Sequence, residues 1–346
     1  MERFETIQHQ AGDEDALADE EPSLLVVILD TNPIAWEALQ LQLPFEKVLA
    51  DVLVFVNAHI AFDHANQAVL IASHIDRACY LYPTPETRYE HQVDPHRAAN
   101  AYRPFIVVQD QVVQNLKTLI DNTTTEHIAA QKASMMSGAI TLALGYINKL
   151  NAARNETTTA AGTEAMGTTT SQQRVKARIL VLCASGDLAF QYIPMMNCIF
   201  SAQKLHVPID IIKLAGDAVF LQQASDATGG TYMDASSAND NGGGFLQRLM
   251  MIYLPDQNLR KHLNLPKQEN VDFRAACFCH KRVLDVGFVC SVCLSIFCSP
   301  IPKCSVCEAD FNIQELKAFG AKPQVAIQKK KKRLGESTST ETPIEI

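Results

Sequence analysis

The stretch Ser23–Asp30 reads SLLVVILD, six branched apolar residues in a row before an Asp-Thr-Asn-Pro turn. A strand without polar alternation cannot leave one face in water, so it belongs to a sheet covered on both sides. QAVLIASHI (Gln67 to Ile75), ARILVLCASGD (ending at Asp187) and VPIDIIKLAG (Val207 to Gly216) repeat the pattern, and TYMDA is a shorter strand. VLVFVNAHIAF (Val52 to Phe62) is read as another strand, with CYLYP (Cys79 to Pro83) extending the 67–75 run through a turn. Helical patterns fall between these runs. AWEALQLQ follows the first, and 104–150 is helical, with Met136, Ile140, Ala143, Ile147 and Leu150 spaced by three and four. Further helices are expected over 188–204, in FLQQASDATGG up to Gly229 and Gly230, and in the amphipathic FLQRLMMIYL. Strands alternating with helices predict an α/β fold, a doubly wound and mostly parallel sheet, over residues 23–255.

Composition changes mark the remaining segments. Residues 1–22 form an acidic, flexible arm, and 155–173, rich in Thr, has little to bury and is expected to be a disordered insertion. A connector from Pro255 leads to a Cys-rich module over 272–320, followed by a basic and polar disordered tail, 321–346, with Lys329–Arg333 as its charged cluster. The formal charge of −8 argues against a chain dominated by nucleic-acid binding. No apolar signal region opens the sequence, and no run reaches the roughly 20 apolar residues of a membrane span. The thiols are therefore expected in a reducing compartment, where clustered Cys means metal rather than disulfide.

At the carboxyl ends of the strands, where such sheets place chemistry, the loops are poor in catalytic signals. Asp30-Thr-Asn-Pro-Ile34 lacks both the GxGxxG turn and the GxxxxGK[ST] phosphate cradle. Cys183-Ala-Ser-Gly-Asp187 departs from the GxSxG nucleophile elbow, and Cys183 reads as a small buried hydrophobe. His59, His64 and His74 have no ligand-like spacing. The expectation is a protein that is not an enzyme.

LLVVILDTNPIAW, the SGAITLAL helix and the ILVLCASGD strand together resemble a von Willebrand factor type A domain. That resemblance implies a metal-ion-dependent adhesion site, D-x-S-x-S plus a Thr and an Asp from later loops, which ligates a hard divalent cation through oxygen. Asp30 fits the first ligand, but Asn32 and Ile34 replace the two Ser. Ser134 or Ser137 would stand in for the Thr, and Asp187 lies late in its loop. With no oxygen on Ile34, the expected site is degenerate and without Mg²⁺, and the domain becomes a protein-binding platform.

Seven of the ten cysteines lie between Cys277 and Cys307. Cys290, Cys293, Cys304 and Cys307 form C-x2-C-x10-C-x2-C, two knuckles that close a tetrahedral Zn²⁺ shell. Such a closed four-sulfur site is structural, and its binding, roughly 10–16 kcal/mol in zinc-finger peptides, supplies most of a small module's folding free energy. Cys277 and Cys279 lie ten residues before Cys290, so Cys277, Cys279, Cys290 and Cys293 make a rival tetrad. Seven Cys plus His280 also give the eight ligands of an interleaved two-zinc arrangement, with Cys277, Cys279, His280 and Cys298 as its second set. Cys298 lacks an adjacent partner, which places that arrangement third. The balanced charges of the module leave no footprint for phosphate, whereas Val286, Phe288, Val289, Ile301 and other apolar residues exceed what so small a core can bury.

RAACFCHKRVLDVGFVCSVCLSIFC joined to the DTNPIAW type A domain closely resembles, from about Leu24 to Phe311, the family of small transcription factor IIH core subunits that carry a type A domain and a C4 zinc finger. The resemblance implies a nuclear, non-catalytic scaffold for RNA polymerase II transcription and nucleotide excision repair. It also implies other core subunits as partners, chiefly a sibling with type A and RING-like domains, with direct DNA contact weak or absent and no membrane. The basic tail then reads as an import signal. The competing class is a zinc-ribbon nucleic-acid-binding protein.

Overall fold

The computed structural model describes residues 23–84, 102–130, 134–160, 176–186, 191–215, 219–235, 244–266, 271, 273–275, 277–280, 284–293 and 295–311. Two compact units divide the chain, Met1–Phe273 and Arg274–Ile346. The acidic arm, the basic tail and Asp187 lie outside the described residues.

In the first unit, six strands lie in the order β3-β2-β1-β4-β5-β6. They are β1 (Ser23–Asp30), β2 (Gln67–Ser73), β3 (Ala78–Tyr82), β4 (Lys176–Cys183), β5 (Ile209–Lys213) and β6 (Tyr232–Asp234). All neighbours pair in parallel except β2 and β3, which are antiparallel. This is the mostly parallel, von Willebrand factor type A-like sheet expected from the sequence. Seven of the eight residues of β1 are buried, since β1 is central and both of its faces are covered. Leu25, Val27 and Leu29 point into a core shared with α1 (Pro33–Leu39), α2 (Phe45–Phe62), α3 (Arg103–Asp121), α8 (Phe245–Arg248) and the π-helical turn Leu249–Tyr253. Each such side chain contributes about 1.5–3 kcal/mol by leaving water. Against β1, β2 and β3, α5 (Met136–Ala160) buries Met136, Ile140, Ala143 and Ile147, and it packs on α6 (Tyr192–Leu205), which packs on α7 (Val219–Thr228).

Two expectations are corrected. Val52–Phe62 is the C-terminal part of α2, not a strand. Its buried Val48, Val52, Val56 and His59 recur at three and four residues, so a helix hides them on one side, and it forms the crossover that two parallel strands require. Helix α5 also continues to Ala160, into the segment expected to be an insertion, while 161–175 lie outside the described residues.

Gly229, with φ +70°, ends α7, and a Cβ on Gly230 would stand 2.0 Å from the carbonyl oxygen of Ile209. Only glycine lets the chain turn so close to β5. Beyond α8, Arg260 of α9 (Gln257–Arg260) holds buried Asp210 by two hydrogen bonds of 2.8 and 2.7 Å, and Arg178 donates to the carbonyls of Leu254 and Pro255.

The second unit contains a two-stranded antiparallel hairpin, β7 (Phe288–Val289) and β8 (Ile296–Phe297), and a small core around Cys290, Phe297 and Cys304.

Candidate metal centres and the carboxyl edge of the sheet

The Cys-rich unit holds its ligands in tight turns within and on either side of the hairpin. Cys290 follows β7 directly, and its N–H donates to the Ser295 carbonyl (2.9 Å), closing the first knuckle. The second knuckle closes in the same way, with Cys304 N–H on the Ala309 carbonyl (2.8 Å) and Val306 N–H on the Cys304 Sγ (3.4 Å). Glu308, which ends this turn, has φ 61°, the left-handed region that favours glycine. These turns bring Cys290, Cys293, Cys304 and Cys307 together, with all four sulfurs within 4.8 Å of one another. Cys290 Sγ lies 3.7 Å from Cys307 Sγ, and Cys293 Sγ lies 3.6 Å from Cys304 Sγ. A Zn–S bond of about 2.3 Å in a tetrahedron sets sulfurs about 3.8 Å apart, so the four could hold one such ion.

A second group forms from Cys277, Cys279, His280 and Cys298, again within 4.8 Å. Cys279 Sγ and Cys298 Sγ are 3.3 Å apart, and His280 Nδ1 is 3.2 Å from each. The hairpin is what brings Cys298 there, since Phe278 N–H donates to the Ile296 carbonyl (2.8 Å) and ties the CFCH turn to β8. The rival tetrad is not assembled, because Cys277 and Cys279 group with His280 and Cys298, while Cys290 and Cys293 group with the later pair. The two groups interleave along the chain and use all eight candidate ligands, and all ten cysteines are free of disulfides. Three thiolates plus imidazole, or four thiolates, are donor sets suited to zinc.

The module's surface is apolar where its charges are neutralised. Arg274 pairs with Asp285 (2.9 Å) and Lys303 with Glu308 (3.4 Å). Val286, Phe288, Val289, Val292 and Val306 are exposed.

At the carboxyl edge of the sheet, Asp30 ends β1 and is fully buried. One of its carboxylate oxygens accepts the N–H of Asn32 (3.1 Å), and the other accepts the N–H groups of Ala184 (3.1 Å) and Ser185 (2.7 Å). Burial pushes its pKa above the ordinary carboxylate value, and the hydrogen bonds from Ser185, Asn32 and Ala184 oppose that rise. Asn32 caps α1 through its side-chain oxygen on the Ile34 N–H (3.1 Å), with Pro33 next to it, and its amide donates to the Ser185 hydroxyl (3.0 Å). Trp36 Nε1 donates to the Asp30 carbonyl (2.7 Å).

Of the two Ser expected to replace the adhesion-site Thr, Ser137 donates its hydroxyl to Gln191 Oε1 (2.9 Å). Ser134 is buried beside a void of about 20 Å³ with Cys183, Ser185 and Gln191. With both Asp30 oxygens taken by backbone N–H groups and Ile34 in a ligand position, these residues do not form an oxygen cage for a hard divalent cation. Cys183 is buried and donates to the Ser185 carbonyl (2.9 Å). Sequence reasoning overlooked the backbone donors around Asp30, two of which come from a loop more than 150 residues away.

Comparison with known proteins places these features together. The family described as "Transcription factor Tfb4" matches residues 22–308. The chain is 47% identical over 319 residues to the "General transcription and DNA repair factor IIH subunit tfb4" of Schizosaccharomyces pombe, covering 91% of this chain and 98% of that protein. It is 38% identical over 344 residues to the corresponding subunit of Yarrowia lipolytica, covering 93% and 95%. Among solved structures, the TFIIH p34 N-terminal domain is similar at 39% identity and a TM-score of 0.54, covering 67% of this chain and 98% of that one.

Proposed function

The chain belongs to the Tfb4 family of transcription factor IIH subunits, and on that premise we propose that it is a non-catalytic scaffold of that factor's core. In this reading it is nuclear and supports RNA polymerase II initiation and nucleotide excision repair through contacts with other core subunits. Chief among these is a sibling that carries type A and RING-like domains, its zinc module docking on the type A-like unit. Two interleaved ligand groups carry the proposal, since they make the C-terminal unit a docking element held by two structural zinc ions. Cys290, Cys293, Cys304 and Cys307 take one ion, and Cys277, Cys279, His280 and Cys298 take the other. The ions supply the folding free energy that the small cluster of Cys290, Phe297 and Cys304 cannot. Exposed Val286, Phe288 and Val289 then offer apolar surface to a protein, while Arg274 and Lys303, described cations of this unit, are each paired with a carboxylate. Asp30 and Asn32 are a structural anchor between the β1 and β4 loops rather than a cation site.

The test is zinc quantification and co-purification of the full chain, co-expressed with its sibling, as wild type and as Cys290→Ser and Cys298→Ser. Beyond the zinc of the sibling's own module, the wild type should account for two ions, each variant should lose one, and assembly should weaken in both. Unchanged zinc content with unchanged assembly would sink the proposal.

A further inference from the structure

An open cleft of about 570 Å³ lies at the carboxyl edge of the sheet, beside the ends of β1 and β2. Its volume is within the range of ordinary ligand pockets. In a sheet of this kind the usual crevice is at the strand-order reversal, here between β1 and β4. That position is closed by Asp30, Asn32 and the 184–185 backbone. The open volume is instead displaced toward α1, α2 and the end of α3.

Trp36 and Phe45 line the cleft, their rings meeting edge to face at 4.9 Å. The indole is held in place by its bond to the Asp30 carbonyl. His74 closes the base, with Nδ1 on Thr31 and Nε2 on the Thr123 hydroxyl (2.9 Å), so the floor is built before anything binds. Pro33, Pro44, Ile120 and Ile128 complete the apolar wall, and Ile120 is 51% exposed. On the rim are two exposed carboxylates, Glu37 and Glu46, and among the described residues no Lys or Arg lines the cleft. The nearest cation in sequence, Lys47, acts on Asp51 one turn further along α2.

We propose that this cleft seats a short cationic and apolar segment of a partner subunit, one branched or aromatic side chain inserting between Trp36, Phe45 and Ile120 while Lys or Arg beside it faces Glu37 and Glu46. Charge complementarity selects this occupant. An acidic segment would meet two uncompensated carboxylates, and a purely apolar one would leave them facing it unpaired. The inference rests on the reading of the chain as a core subunit.

The experiment purifies the core through the full chain carrying a photo-crosslinking benzoylphenylalanine at Gln40, an exposed lining position, and sequences the crosslinked peptide. The expected peptide comes from another subunit and has Lys or Arg within two positions of a large apolar residue. Glu37→Lys combined with Glu46→Lys should lower the crosslink yield about tenfold at low salt and less at high salt. Ile120→Asp should lower it at every salt concentration. Phe200→Asp, on the exposed face of α6, should leave it unchanged. All four substituted side chains are solvent-exposed, so the fold tolerates them. A core that co-purifies intact while Gln40 captures nothing, or captures an acidic segment, overturns the inference alone. A chain that recovers no other subunit removes the scaffold reading and this inference with it.

Discussion

Asp30 stands where an adhesion motif has its first ligand, but its carboxylate is engaged by backbone N–H groups. A carboxylate buried without partners would neutralise itself, but here three backbone N–H groups spend their hydrogen bonds on it. Asp30→Asn tests the assignment. An amide offers one oxygen and one NH₂, and the NH₂ would face a backbone N–H whichever way it turned, leaving a buried donor unpaired. The cost should be about 2 kcal/mol in denaturant unfolding of the full chain. Added Mg²⁺ should leave the wild-type melting temperature where it is, and a rise with Mg²⁺ would restore the cation-site reading. Asp30 and Asn32 were legible in the sequence as a departure from an adhesion motif. Their partners were not, because Ala184 and Ser185 are remote in the chain and use only backbone atoms.

At the scale of elements, the α2–β2 junction is tied by His59, whose Nε2 lies 3.3 Å from the Gln67 carbonyl, and by Asn66, whose amide donates to the His59 carbonyl. Burial, reinforced by the nearby Arg178 guanidinium, lowers the His59 pKa from 6.5 to about 4. Above pH 6.5 the ring is neutral in both the folded and the unfolded chain. As pH falls from 6.5 toward 4 the unfolded chain takes up a proton that the folded one refuses. That stability is therefore lost over this window, up to about 3 kcal/mol. Urea unfolding at pH 7 and pH 4.5 should show the loss, and His59→Gln should flatten its slope; an unaltered slope would refute the linkage. The same helix explains the main misreading of the fold. Val52–Phe62 is dense in β-branched and aromatic residues, which favour strands locally, but the crossover between parallel β1 and β2 and the three-and-four spacing back to Val48 override that preference. The strands β1, β2, β4 and β5 were readable because each is buried on both faces. Cys298 was legible only within the arrangement ranked third, since its partners become neighbours only when β7 and β8 pair.

The whole molecule comprises a type A-like unit, in which the described residues form no oxygen cage at the adhesion-site position, and a Cys-rich unit with two ligand groups. No described helix is long and apolar enough to cross a membrane. The most direct measurement is affinity purification of the full chain from nuclear extract, with subunit stoichiometry and zinc determined on the same sample. The account predicts recovery of the factor IIH core subunits in equal amounts, the sibling among them, with two zinc ions attributable to this chain. Recovery of nucleic acid in place of those subunits, or a chain free of zinc, would contradict it.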